Sequence, residues 1–565
     1  MRQRKHFLLR CMLSLFCFVA IMLASCGTDN TKGGTQKASA DKQVFASALE
    51  GIRDIATLDP ALVSDIASIN PIDMIFTGLV QLDDKLNVKG QLAQSWSQGS
   101  DGVTWTFHLK PNLKFSDGTA LTAKDVAYSL DRALQPSVKS GVASSYLLIK
   151  DADKLSSGKI PTIIGDSIQT PDADTVIITA STKGVYFLNA LTYPTSFVVE
   201  KSLIEKYKEK WTEHLNEGGG AGPFVVQNYT PGSQIVFVAN HNYYGPQPQL
   251  QKVIMAFYTT VDTSYKAYQA GQIDSTDIPA ASYAEAKTRT NEFHRVPILA
   301  LRYYAMNYLV KPFDNIHIRQ AFALALNKDL IVHTVLKDLD LATNHIVPEG
   351  MPGYNANLTG PDGIKKTSGA ATQARMLLKQ GMQEEGWTSI SQIPQITFTS
   401  NASSQATEDE ITAVMQMWQN VLGITVRLRI VALNTLGEEI SQTRNNANGL
   451  QLWRYTWFTD YPDAQDWLTL QFAKDSSQNT VNYGQNHNRD AVEQLLKQAD
   501  VNRDQNARLQ QYNQAEQQVV NDVAWLPIYQ LESVSLLKPY VQGVVSNALG
   551  LTPPDDWSRI YISNH

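Results

Sequence analysis

One cysteine carries the most specific chemistry in this chain. Leu23-Ala24-Ser25-Cys26 sets small residues ahead of a thiol, at the end of an apolar run over residues 11–23 that follows Arg2, Arg4, Lys5 and Arg10. About 13 apolar residues are too few to span a bilayer as a permanent helix, and the small residues before Cys26 fit a signal-peptidase site. The tetrapeptide has the lipobox pattern, which implies cleavage before Cys26 and acylation of its sulfur. Residues 1–25 then form a lipoprotein signal, and the mature chain is an extracytoplasmic lipoprotein held at the membrane only by its anchor. Cys11 and Cys17 leave with the signal. No disulfide framework, thiolate metal site or thiol nucleophile remains.

Other reactive patterns are missing. The sequence has no H-E-x-x-H, no G-x-S-x-G and no G-x-x-x-x-G-K-[ST], which argues against a metalloprotease, a serine hydrolase of that type and an ATPase. His345 and His487 are isolated, and no His/Asp/Glu cluster has ligand spacing, so neither metal nor cofactor is expected. A Ser/His/Asp triad assembled from distant residues keeps a secreted hydrolase open as a rival reading. Segment 454–461, Arg454-Tyr455-Thr456-Trp457-Phe458-Thr459-Asp460-Tyr461, mixes charge with aromatic surface. Taken alone, Asp460 reads as a cap on the turn before Tyr461-Pro462, Arg454 as half of a local salt bridge, and Trp457 as core.

The elements that must position such residues alternate between helix and strand. Thr104-Trp105-Thr106-Phe107-His108-Leu109 has the period of a half-buried strand, with Leu113 and Phe115 resuming the apolar face as a second short strand and Asp117-Gly118 forming a turn. Thr122-Ala123-Lys124-Asp125 is a helix start, continued by Val126, Ala127, Leu130 and Leu134. The same grammar recurs at 407–410. There Ile411, Val414, Met415, Trp418 and Leu422 make a helical stripe, Gly423 ends it, and Ile424, Val426, Leu428 and Ile430 alternate as a strand. A Gln-rich amphipathic helical region follows at 492–523. Residues 26–43, rich in Gly, Thr, Ser and Lys, read as a flexible tether. About 540 residues remain after the signal, enough for two or three domains of mixed α/β class. Loss of four positive charges takes the formal charge from -6 to about -10, which disfavours nucleic acid and anionic membrane surfaces as partners.

The stretch WTFHLKPNLKFSDGTALTAKDVAYSLDR at 105–132 closely resembles the signature of the extracellular solute-binding proteins of family 5, the oligopeptide and dipeptide receptors of ABC importers. Further landmarks resemble the family's in its own order: Leu58-Asp59-Pro60, Gly220-Ala221-Gly222-Pro223-Phe224, Asn242-Tyr243-Tyr244-Gly245, Gly271-Gln272-Ile273-Asp274, Pro312-Phe313, Ile318-Arg319-Gln320-Ala321, Ala325-Leu326-Asn327-Lys328 and Pro527-Ile528-Tyr529. The resemblance implies a class II periplasmic-binding-protein fold, two hinged lobes with an inserted domain. Matching landmarks puts lobe I at 44–76, 211–300 and 526–565, the inserted domain II at 77–210 and lobe III at 301–525. It implies a monomeric, non-enzymatic receptor that encloses a peptide and delivers it to a permease whose ATPase is a separate chain. Family relatives that bind nickel complexes, haem, opines or oligosaccharides define the rival cargoes.

The resemblance also nominates the ligand site. Asp460 is implied as the partner of the peptide's α-amino group, Arg454 as a reader of its carboxylate, and Arg444, about one residue out of register, as a second cleft arginine. Trp457 would form an aromatic wall, and the backbone at Thr456 and Phe458 would pair with an extended peptide as an added strand. On the facing side Tyr146 would reach the cleft, Ile66 would touch the ligand's first residue, and Tyr303 would lie at a domain crossing. A shorter stretch after Ile273-Asp274 than in oligopeptide members leaves pocket length open.

Overall fold

The computed structural model describes residues 36–63, 65–143, 147–401, 405–485 and 490–565, so Cys26, Tyr146 and His487 lie outside the described residues. The large sheet opens with β1 (Val44–Glu50). A smaller sheet is made of β2 (Ala93–Gln98), β3 (Thr104–Leu109), β4 (Ile168–Gln169) and β5 (Thr175–Thr179), in the order β2-β3-β5-β4. The large sheet continues through β6 (Phe224–Thr230), β7 (Gln234–Ala239), β8 (Lys252–Tyr258), β9 (Ser275–Asp277), β10 (Phe293–Met306), β11 (Ile396–Ser400), β12 (Val426–Ile430), β13 (Leu452–Phe458) and β14 (Trp525–Leu537). Its order is β12-β11-β13-β10-β14-β9-β1-β8-β7-β6, with the two-residue strand Leu341–Ala342 also on β14. The helices used below are α1 (Ile66–Ile75), α2 (Ala123–Leu134), α3 (Ala371–Glu384), α4 (Gln405–Leu422), α5 (Asp490–Val501) and α6 (Gln505–Asn521).

Local chemistry accounts for several of these elements. In β3, Trp105, Phe107 and Leu109 are buried and the residues between them are not, as the alternation requires. The second short strand is not formed: beyond β3 only Lys114 and Ala120 make a bridge, although Leu113 and Phe115 are buried. Their tight loop closes on Gly118, whose φ of 96° suits a residue without Cβ. At the start of α2 the Asp125 carboxylate accepts from the Thr122 amide at 2.8 Å and hydroxyl at 2.9 Å. α4 buries Ile411, Val414, Trp418 and Leu422, and Gly423 ends it at φ +72°. β12 lies at the end of the sheet, so Val426 is buried while Leu428 and Ile430 are exposed. The 492–523 region divides into α5 and α6, because the Asp504 side chain accepts from the Ala507 amide and restarts the helix.

Two long strands join the halves of the large sheet. β10 and β14 pair antiparallel from Ala305 against Trp525 to Phe293 against Leu536, with register shifts between Pro297 and Leu301 and between Arg302 and Tyr303. Such irregularities bend paired strands and raise their twist. β9, β1, β8, β7 and β6 lie on one side of this crossing; β13, β11 and β12 lie on the other. Separate apolar cores underlie the small sheet, the β1 side and the β13 side. No helix among the described residues is long and apolar enough to cross a membrane.

Candidate functional site

β13 presents its two faces to different surroundings. Trp453, Tyr455 and Trp457 belong to a core with Trp467 and Trp525. Arg454, on the opposite face, is buried against α4. Its Nε donates to Glu410 Oε1 at 3.0 Å and its Nη2 to Oε2 at 2.8 Å, while the hydroxyls of Tyr304 and Tyr529 donate to the same carboxylate at 2.6 and 2.9 Å. Burial pushes Glu410 up, yet the charge and hydrogen bonds of Arg454, the charge of Arg302 and the Tyr304 hydroxyl together outweigh this and hold the carboxyl below its ordinary value. The fork expected to read a ligand carboxylate is therefore closed by a protein acid. Arg444 is likewise engaged within its own half, donating to the carbonyls of Ser476 at 2.9 Å and Asp475 at 3.2 Å. Tyr303 lies on β10, one of the two crossing strands, where it is 4% exposed and stacks on Trp525 at 3.8 Å.

Beyond Arg454 the strand opens a free edge. β11 pairs with β13 only at Leu452 and Trp453. On the other side Thr459 donates its amide to the Leu299 carbonyl at 2.9 Å. Backbone groups in an antiparallel pair alternate between the two edges, so those of Thr456 and Phe458 face away from β10. No strand among the described residues pairs with them there. Phe458 is 44% exposed.

Asp460 follows on a loop fixed by Asp466. One Asp466 oxygen, Oδ2, accepts from Trp457 Nε1 at 3.2 Å, Thr459 Oγ1 at 2.9 Å and the Asp460 amide at 3.3 Å. Burial, and then the charge of Asp460, push the Asp466 carboxyl well above the usual range. Trp457 thus supports this loop through Asp466. Asp466 was not anticipated from the sequence; the signal available was three acids within seven residues, Asp460, Asp463 and Asp466.

Asp460 and Phe458 line a cavity that reaches across to Ile66, Asp73, Tyr193 and Asn547. Ile66 also lines a second cavity, which extends past β1 to Glu50, Asp277 and His294. Ile66, Phe458 and Asp460 line one cavity; Arg454, Arg444, Trp457, Tyr303 and Thr456 are not among the lining residues of these two cavities. Among the described residues, no Lys, Arg or His lines the first cavity. Burial raises the Tyr193 phenol well above its ordinary value, with the charges of Asp460, Asp65 and Asp73 adding to the effect. Asp73 was missed from the sequence, where it stands as a lone acid within Ile69-Asn70-Pro71-Ile72-Asp73-Met74-Ile75-Phe76. Among the described residues no group of three or more His, Cys, Asp or Glu could hold a metal ion, and His345 is engaged with the Asn355 carbonyl.

A cleft between two sheet halves that share only a pair of crossing strands, with a separate small-sheet domain, is the architecture of a two-lobed solute receptor. The chain belongs to the bacterial extracellular solute-binding proteins, family 5, whose middle region matches residues 87–479. It is 29% identical over 554 residues, 96% of each chain, to the periplasmic oligopeptide-binding protein OppA of Salmonella typhimurium. To the dipeptide-binding protein DppE of Bacillus subtilis it is 27% identical over 503 residues, 87% of this chain and 88% of the other. A protein named as the probable deoxycholate-binding periplasmic protein YgiS of Escherichia coli is 29% identical over 520 residues, 91% of this chain and 92% of that one. Among solved structures, the Escherichia coli murein tripeptide binding protein MppA superposes with a TM-score of 0.73 at 26% identity, over 94% of this chain and 100% of that one. The fold is that of class II periplasmic-binding proteins.

Proposed function

We propose that this protein is the peptide receptor of an ABC importer, capturing peptides by their free α-amino end and handing them to a membrane permease. The observation that carries this reading is the placement of Asp460 in a cavity with no basic lining residue, next to the open strand edge at Thr456 and Phe458. An ammonium removed from water needs a fixed anion, and an extended backbone needs an edge to pair with. Ile66 supplies an apolar contact from the facing half. The anionic cargo implied by the name of YgiS suits this cavity poorly, because a ligand carboxylate would meet acids and no cation.

The halves on either side of β10 and β14 are assigned as lobes I and III, with the borders expected from the sequence, and residues 77–210 as the inserted domain. Closure of these lobes would desolvate the ammonium and the peptide backbone together. The transporter's permease and ATPase would be separate chains, and acylated Cys26 would keep the receptor within their reach. Calorimetric titration with one peptide in free-amino and N-acetylated forms tests the reading. Saturable binding of the free form, weakened by one to several powers of ten on acetylation, is expected; equal affinities would remove Asp460 from this role.

A further inference from the structure

Asp73 is an acid that the fold does nothing to accommodate. It is 6% exposed, lies in the last turn of α1, where the helix carbonyls already carry negative charge, and has no hydrogen-bond or ion-pair partner among the described residues. Buried carboxylates ordinarily have partners, and each exception asks for a reason. Burial alone pushes its carboxyl well above the usual range, with no cation to pull it back. The side chain lines the same cavity as Asp460 and Tyr193, and the charges of both acids, with that of Asp65, bear on the Tyr193 hydroxyl. The nearby acids are not equivalent: Asp65 is used as the N-cap of α1, accepting from the Ser68 amide at 2.9 Å, whereas Asp73 has no such task.

We propose that Asp73 is a second cation subsite of this cavity, so that the preferred ligands are peptides whose first residue has a basic side chain, lysine or ornithine in kind. This rests on the reading of Asp460 as the α-amino anchor. With the α-ammonium held at Asp460, a cationic side chain on the same residue supplies the charge that a second carboxylate lining the same cavity would pair with. The ligand would bring two positive charges to two acids, and the stem of that side chain would cover Ile66 and Ile69.

The test is titration of two free-amino tripeptides that differ only in lysine or norleucine at the first position. The wild type should bind the lysine peptide tenfold or more tightly, and Asp73→Asn should bring that ratio close to one. Asp460→Ala should weaken both peptides and preserve their ratio. Equal affinity of the wild type for the two peptides, or an undiminished preference in Asp73→Asn, would overturn the subsite. Full affinity for both in Asp460→Ala, with the lysine preference intact, would instead remove the α-amino anchor and leave Asp73 standing as a cation site. Binding of neither peptide would overturn both.

Discussion

Arg454 and Glu410 form a two-pronged ion pair whose side chains are 3% and 0% exposed, joining β13 to α4 on the face of the strand away from the aromatic core. Removing one member of such a pair leaves a buried charge uncompensated, at about 3–5 kcal/mol, whereas replacing both with apolar groups often costs little. Glu410→Gln and Arg454→Met should each lower the unfolding midpoint sharply, and the double variant should regain most of the loss. Denaturant unfolding of the three variants checks this. Peptide affinity in the folded double variant should stay within a few-fold of wild type, since neither side chain lines the cavity; a hundredfold loss would restore Arg454 to the ligand site.

Asp460 is expected to act through position as well as charge. Asp460→Ala should weaken a free-amino peptide by about one and a half to three and a half powers of ten, the equivalent of about 2–5 kcal/mol, and should have little effect on an N-acetylated one. Asp466→Ala, which removes the acceptor shared by Trp457, Thr459 and the Asp460 amide, should lower both stability and affinity. Calorimetry on the two peptides with each variant separates the roles: loss of discrimination between free and acetylated ends belongs to Asp460.

The unpaired edge makes a different demand, on the ligand's backbone. If residues 456 and 458 accept and donate to an added strand, N-methylation of the facing peptide bond should cost about 0.5–1.5 kcal/mol, or roughly 2- to 12-fold in affinity. A set of singly N-methylated peptides would show the loss at alternate positions. Uniform tolerance of methylation along the peptide would mean that the edge is not used.

A good deal of this was legible in the sequence wherever the cause is local. The run from Ile411 to Ile430 gave helix, glycine stop and strand in order, because stripe, terminator and alternation all lie within about twenty residues. Asp460, Phe458 and Ile66 were reachable through family resemblance, and the cavity brings them together. Arg454 was misassigned because its partner is 44 residues away on another element. Alternation separates Arg454 from Trp453 and Tyr455, but it does not say that α4 brings a glutamate to that face. Asp73 stands in the sequence as a lone acid in an apolar run; only the tertiary fold shows that no partner among the described residues reaches it.

Glu516 predicts a slope of stability with pH. It is wholly buried in α6, and its Oε1 accepts from the amides of Ile346 at 3.0 Å and Val347 at 2.9 Å. Burial outweighs those two donors and pushes the carboxyl up to about 8. The native state then holds a proton that the unfolded chain has released from about pH 4.5 upward. The contribution is fully present below that pH and is lost as pH rises through about 8, at up to about 1.4 kcal/mol per unit. Lys328, pushed down to about 7 by burial, contributes the opposite slope, so the comparison must be made against a variant. Glu516→Gln retains an acceptor for both amides, and thermal unfolding between about pH 5 and 8 should show less decline with rising pH than wild type. Identical slopes would mean that Glu516 is ionised in the native state.

Closure offers the last prediction, because the segment around Tyr186, in the proposed inserted domain, touches the half that carries Asp460. Tyr186 lies parallel to Tyr461 with centroids 6.2 Å apart and planes within 4°, Asn189 Nδ2 donates to Asp463 Oδ2 at 3.3 Å, and the Val185 amide donates to the Asp500 carbonyl. Asp463 is itself held by Arg508, so this landing surface is rigid. The contacts join residue Tyr461, immediately after the proposed ammonium anchor, to a segment across the cleft, and opening the cleft would have to break them. An aromatic pair of this kind is worth about 0.5–1.5 kcal/mol beyond its area. Tyr186→Ala should therefore reduce the population of the closed state and weaken every peptide by the same roughly 2- to 12-fold factor. The loss should appear mainly as faster dissociation in stopped-flow displacement, with the ratio of free-amino to N-acetylated affinity unchanged. A loss confined to some peptides would place Tyr186 in direct contact with ligand side chains, and no loss at all would mean that this contact does not hold the cleft shut.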